Sequence, residues 1–476
     1  MHLARHSITS TLPVQVFDAR FDPDFRLFTC TTPAGFAVYQ TNPLRLLRKH
    51  ELTDATLAMA LPLHSSSLLF LLGGGTMPLY PPNKIVLWDA AANQAVAELE
   101  FREKVRGMAC RRGWLAVALR RRVVVFQINE QIRRHSEYET NENLRGIVAL
   151  ATATHSTLLA MPGRQLGHVQ LVHLPPCPPP RLTTPTSGRV PLPTTLSNKN
   201  PVAIIVAHET ALSTIAVTIS GRLIATTSAR GTLVRVWDAM SGSPIDSFRR
   251  GSDQAEIYSV AFRPDEKELC VCSDKGTVHV FVLPDAATSN ANRVSLLSGL
   301  TPFLKLPKYF ESKWSYAKYR LPAPSSHIAL SSLTSSSAPL SASSDLIEDD
   351  RCVVGWIEAL VQDATGVQRR EYQLIALTYS GGWYRLGLPS PSAPPPSTPV
   401  SSRVATSPPA SPKLRRASGD TGSPVRPGSP RAASVASSAG RGKGKEPEHA
   451  DSEKEHAGSD CTLVEYRRFG TWDGWR

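Results

Sequence analysis

SVAFRPDEKELCVCSDKGTVHVFV, residues 259–282, carries the decisive pattern. It reads as three short strands, ending in SVAF, LCVCS and TVHVFV, parted by the polar turns RPDEK and DKG. Side chains alternate across a strand, so Cys270 and Cys272 share one face and Thr277 and His279 share one face. TIAVTISGRLIATTSARG at 214–231, followed by TLVRVWD, repeats the arrangement. Working outward, the last strand of this unit recurs as GFAVYQ (35–40), KIVLWD (84–89), RRVVVFQ (121–127), GHVQLV (167–172), GTLVRVWD (231–238), GTVHVFV (276–282) and GGWYRL (381–386). From Tyr39 through Trp88, Phe126, Val172, Trp237 and Phe281 to Leu386 the spacings are 49, 38, 46, 65, 44 and 105. The 65 contains a proline-rich insertion, and the 105 must hold a further repeat or long insertions. A period of about 40–45 residues built from short strands is that of a β-propeller blade. A small sheet alone cannot bury both faces; radial stacking buries them and leaves only short edges. Seven anchors predict an all-β, seven-bladed ring.

The prolines separate this body from its insertions. Residues 175–201 hold nine and 389–460 hold thirteen of the 39 in the 476-residue chain. The second stretch has no Phe, Trp or Tyr, and cannot bury enough apolar surface to offset its ordering entropy. The expected organisation is a propeller over 1–388, with a Pro-rich loop at 175–201, a disordered Ser/Pro-rich segment at 389–460, and 461–476 returning as a strand. Seven cysteines without a C-x-x-C pair argue against disulfides and zinc, leaving buried thiols and no metal or cofactor. No apolar run approaches the ~20 residues of a membrane span, and the first residues lack a signal-peptide core, so a cytoplasmic protein is expected.

Phe248-Arg249-Arg250-Gly251 lies between the fifth and sixth anchors. Adjacent arginines on an extended segment point to opposite sides, so one strand can serve two pockets. A guanidinium grips phosphate with paired hydrogen bonds. Potential further donors flank the motif: His208, Thr226, Ser228, Thr232 and Arg235 on one side, Ser273, Thr277 and His279 on the other.

The run from His208 to Leu321 resembles the PROPPIN family, the WIPI-type seven-bladed propellers of autophagy. FRRG (248–251), IYSVAF (257–262), SDKGTVHVF (273–281) and KLPKYFESKWSYAKYRLP (305–322) carry the likeness, and PPNKIVLWD (81–89) and FREKVRGMA (101–109) extend it. The resemblance implies binding of phosphatidylinositol 3-phosphate and 3,5-bisphosphate at two sites. By position, the first is His208, Thr226, Ser228, Thr232, Arg235 and Arg249; the second is Arg250, Gly251, Ser273, Thr277 and His279. Thr226 adjoins Thr227, which leaves room for a one-residue shift. The resemblance also implies a membrane-inserting loop at 284–311, here with Leu300, Phe303, Leu304 and Leu306, and a monomer peripheral on preautophagosomal, vacuolar and endosomal membranes. SDQAEIYS and PPNKIVLWD are nearest the subgroup that engages the rod-shaped autophagy lipid-transfer protein.

Charge agrees with an anionic partner: 53 Lys+Arg against 40 Asp+Glu gives +13, of which the 389–460 segment holds only +3. The basic runs Arg111-Arg112 and Arg120–Arg122 lack interleaved aromatics and a reading helix, so nucleic acid is not expected. GGG at 73–75 lacks the GK[ST] of a phosphate loop, and no catalytic grouping stands at a motif spacing, so no enzyme is expected. The competing reading is a WD-type scaffold that binds only proteins.

Overall fold

Every repeat read from the sequence forms the third strand of a sheet: Gly35–Gln40, Lys84–Asp89, Arg122–Ile128, His168–His173, Leu233–Asp238, Thr277–Val282 and Gly382–Gly387. The structure is a computed structural model that describes residues 14–64, 66–75, 77–153, 156–175, 203–284, 312–322, 351–362, 368–389 and 459–470. All regular elements among the described residues are strands. Seven sheets follow one another along the chain, spanning 18–51, 57–100, 107–139, 149–206, 212–249, 257–320 and 352–468.

Two details refine the repeat. In sheets five and six the glycine that opens the unit belongs to the turn, not the strand: Gly231 and Gly276 sit at φ +61° and +63°, where a side chain is strained. The anchor residue, in turn, marks a bulge. Pairing between third and fourth strands shifts register at Tyr39, Trp88, Phe126, Trp237 and Leu386. A bulge raises local twist, which lets the outermost strand splay from its neighbour.

Seven apolar clusters join neighbouring sheets and close a ring. Phe36 and Leu69 lie between sheets one and two, Phe70 and Leu115 between two and three, and Trp114 and Leu159 between three and four. Leu171 and Ile224 join four to five, Phe248 and Phe281 five to six, and Cys270 and Trp356 six to seven. Phe28 and Trp383 complete the circuit between seven and one. This is a seven-bladed β-propeller. The 105-residue interval contains no eighth sheet among the described residues; part of it is a long hairpin, Cys352–Gln362 with Gln368–Thr378.

The ring closes through residues 459–470. Ser459–Asp460 runs parallel to Ala317 and Lys318 in sheet six, and Thr462–Arg468 pairs antiparallel with Gly382–Gly387 in sheet seven. Phe469 is then fully buried between sheets seven and one, and the Gly470 amide donates to the Tyr39 hydroxyl at 3.0 Å. The long Ser/Pro-rich stretch is therefore an insertion between two strands of one blade.

Six of the seven cysteines fall among the described residues, and all six are free and buried. Cys270 and Cys272 share the core between sheets six and seven. Of the Pro-rich insertion expected at 175–201, the apolar loop at 284–311 with Leu300, Phe303, Leu304 and Leu306, and the Ser/Pro-rich segment at 389–460, residues 176–201, 285–311 and 390–458 lie outside the described residues. The last two residues of the third, Ser459–Asp460, are not disordered as expected but form a strand, because pairing with sheet six satisfies their backbone.

Candidate functional site

The FRRG motif ends the fourth strand of sheet five, Pro244–Arg249. Phe248 is fully buried and stacks on Phe281 of sheet six, with centroids 4.9 Å apart and planes at 27°. This ring fixes the strand between two blades, and the arginines that follow inherit its position. Arg249 pairs with Leu233 on the third strand of its own sheet, and the Arg250 amide donates to the Thr232 carbonyl at 3.0 Å.

The two guanidinium groups go to different places, although both side chains are buried. Arg249 Nε donates to Ser312 Oγ at 2.9 Å, and its Cζ lies 5.9 Å from the centre of the Trp314 ring. Arg250 Nε donates to the Gly231 carbonyl at 2.8 Å, and its Nη2 donates to the Asp253 carbonyl. Gly251 is half-buried, and a Cβ placed on it would meet nothing within 4 Å, so the backbone there faces open space.

On the first side, His208, Thr226 and Arg235 form one group. His208 Nε2 is 3.0 Å from Thr226 Oγ1, and Trp237 Nε1 donates to the same oxygen at 2.9 Å. Arg235 Nη1 donates to the Ala207 carbonyl at 2.5 Å, directly before His208. Burial, assisted by the Arg235 charge, pushes the His208 imidazole down to about 4, so it is neutral near pH 7. Thr226 is fully buried with its hydroxyl occupied, so it serves here as the prop that holds His208. Ser228 is buried at the end of the same strand, and its carbonyl accepts the Gly231 amide at 2.8 Å. Thr232 is half-buried in that turn.

On the second side, Ser273 is fully buried, and Thr277 and His279 are half-buried on one face of the sixth sheet's third strand. Thr277 Oγ1 donates to the Lys275 carbonyl at 3.4 Å. His279 Nδ1 lies 3.2 Å from Ser315 Oγ. Burial first, then the charges of Arg250 and Lys318, push His279 down to about 4. Each side of the motif thus pairs a neutral histidine with an arginine close enough to repel its protonation. A negative charge placed beside either pair would act in the opposite direction and favour the imidazolium.

Ser312, Trp314 and Ser315, which touch Arg249 and His279, were not singled out from the sequence, although they stand inside the run KLPKYFESKWSYAKYRLP. Lys313–Trp314 forms a parallel fifth strand on sheet five, and only tertiary pairing brings it there.

The PROPPIN family profile matches residues 180–317. SVP1-like protein 2 of Pichia angusta is 32% identical over 311 residues, which is 64% of this chain and 81% of that protein. This chain belongs to the PROPPIN family. Its family is one of autophagy-related, phosphoinositide-binding propellers. Autophagy-related protein 18e of Arabidopsis thaliana is 31% identical over 301 residues, 62% of this chain and 73% of the relative. Among solved structures, Kluyveromyces lactis Hsv2 superposes with a TM-score of 0.53 at 18% identity, covering 79% of this PROPPIN and 94% of that chain. A complex of KlAtg21 with the coiled coil of AgAtg16 gives 0.51 at 15%, covering 80% and 95%. At such identity these two show the fold.

Proposed function

We propose that this PROPPIN is a peripheral membrane protein that reads phosphatidylinositol 3-phosphate and 3,5-bisphosphate through two sites either side of FRRG. The first uses His208, Ser228, Thr232, Arg235 and Arg249, with Thr226 behind them; the second uses Arg250, Gly251, Ser273, Thr277 and His279. The observation that carries the reading is the divergence of two adjacent buried arginines, one to Ser312 and one to Gly231 and Asp253. A guanidinium presents forked donors that match phosphate oxygens, and neutral imidazole can donate through one nitrogen. Two weak headgroup contacts on one rigid body raise residence through effective concentration. The net +13 favours an anionic leaflet, at about 1 kcal/mol per basic residue near the surface.

On autophagic, vacuolar and endosomal membranes the propeller would recruit partner proteins, with the rod-shaped lipid-transfer protein as the first candidate. The KlAtg21 neighbour, solved with a coiled coil, supports protein docking on this fold. Liposome flotation tests the lipid reading. Replacing Arg249 and Arg250 together by Thr is expected to abolish flotation with vesicles containing either 3-phosphorylated lipid. Undiminished flotation refutes it.

A further inference from the structure

The five residues that lead into the outer strand of sheet six, Ser312–Tyr316, touch both sides of FRRG. Lys313 and Trp314 pair in parallel with Phe248 and Arg249. Lys313 Nζ also reaches Asp246 Oδ2 at 2.7 Å, which ties this stem to sheet five. Tyr316 donates to Glu268 Oε1 at 3.0 Å, and Glu268 is itself held by Arg263 at 2.7 Å, which ties it to sheet six. Between these two anchors the side chains divide their attention. Ser312 accepts from Arg249 Nε at 2.9 Å and the Trp314 ring lies 5.9 Å from the Arg249 Cζ. Ser315 stands 3.2 Å from His279 Nδ1.

We propose that the stem Ser312–Tyr316 belongs to both phosphate sites, with Ser312 and Trp314 positioning Arg249 and Ser315 positioning His279. The inference rests on the lipid-binding reading above and adds to it the residues that preset its two key groups. An arginine held at Nε and lying against an indole face has lost most of its rotamer freedom before any phosphate arrives. A histidine engaged at Nδ1 has its ring orientation set and turns Nε2 to the ligand. Preordering one such side chain is worth about three- to ten-fold in affinity. One short segment also ties the two sites together, because Ser312 and Ser315 are only three residues apart.

The test uses the full chain and phosphatidylcholine vesicles carrying a few per cent of phosphatidylinositol 3-phosphate. Ser315→Ala is expected to weaken binding about three- to ten-fold, and Ser315→Thr, which keeps the hydroxyl, to restore it. In a His279→Ala background Ser315→Ala should add nothing, whereas in an Arg249→Thr background it should keep its full factor. Ser312→Ala should show the converse dependence, losing its effect only when Arg249 is absent. Trp314→Phe, which keeps an aromatic ring, replaces Ser312→Ala if that buried change prevents folding. Binding of Ser315→Ala equal to wild type overturns the proposal, as does an effect that persists undiminished without His279. If the wild-type chain ignores the lipid, or the paired Arg249 and Arg250 replacement leaves binding intact, the lipid reading itself falls instead.

Discussion

Lowering the pH from 7 to 5 should destabilise this propeller, and two site histidines should be the cause. In the folded chain His208 and His279 are pushed from 6.5 to about 4. The folded state therefore binds fewer protons than the unfolded one between these values. Stability is present above pH 6.5 and is lost as the pH falls toward 4. Linkage puts the loss between pH 7 and 5 at about 2 kcal/mol for each histidine. His173 is shifted in the same direction by burial. Asp22 opposes them: burial raises its carboxyl from 3.8 to about 6, so acid stabilises its folded form by about 1 kcal/mol over the same span. The histidines win, with a net loss of about 2 kcal/mol, which Glu268, its carboxyl also raised by burial, lessens somewhat. Urea denaturation followed by tryptophan fluorescence at pH 7, 6 and 5 measures this directly. The His208→Gln, His279→Gln double variant should lose almost nothing, or gain slightly, over the same range. A wild-type slope equal to that of the variant would refute the assignment of both histidines as neutral groups in the folded chain. A soluble 3-phosphorylated inositol headgroup should lessen the wild-type loss, because bound phosphate favours imidazolium.

Two further changes probe the fold around the site. Phe469→Ala removes a fully buried ring from the closing core between sheets seven and one, and should cost about 3–5 kcal/mol in chemical denaturation. Thr226→Val keeps shape but strips the oxygen that meets His208 and Trp237, and should cost about 1–3 kcal/mol. Vesicle binding by that variant at pH 7.4 should fall less than for any arginine replacement, since Thr226 acts only through His208.

Much of the ring was legible along the chain. A short alternating strand recurs every 40–45 residues or so because each blade needs the same third strand, and strand alternation is local chemistry that spacing exposes. The anchor aromatics even coincide with bulges, at Trp88 and Trp237 for example, although pairing was needed to reveal it. The paired arginines were equally legible, since two neighbours in an extended strand must diverge. Other features had no local signal. Nothing near Thr226 marks its hydroxyl as already occupied by His208 and Trp237, which lie 18 and 11 positions away.

Composition and periodicity by themselves determined that the chain is all-β and that it repeats seven times, and strand alternation that the FRRG arginines diverge. These follow from nearest-neighbour geometry and from the need to bury each sheet's faces. Only the tertiary structure decided which segment closes the ring, with Phe469 seated beside Phe28 and Tyr39. It alone decided that Ser312, Trp314 and Ser315 stand against Arg249 and His279, over sequence separations of 36 to 65 residues. Such contacts depend on how blades stack and on a parallel strand crossing from one sheet to the next. No periodicity within the chain encodes that crossing.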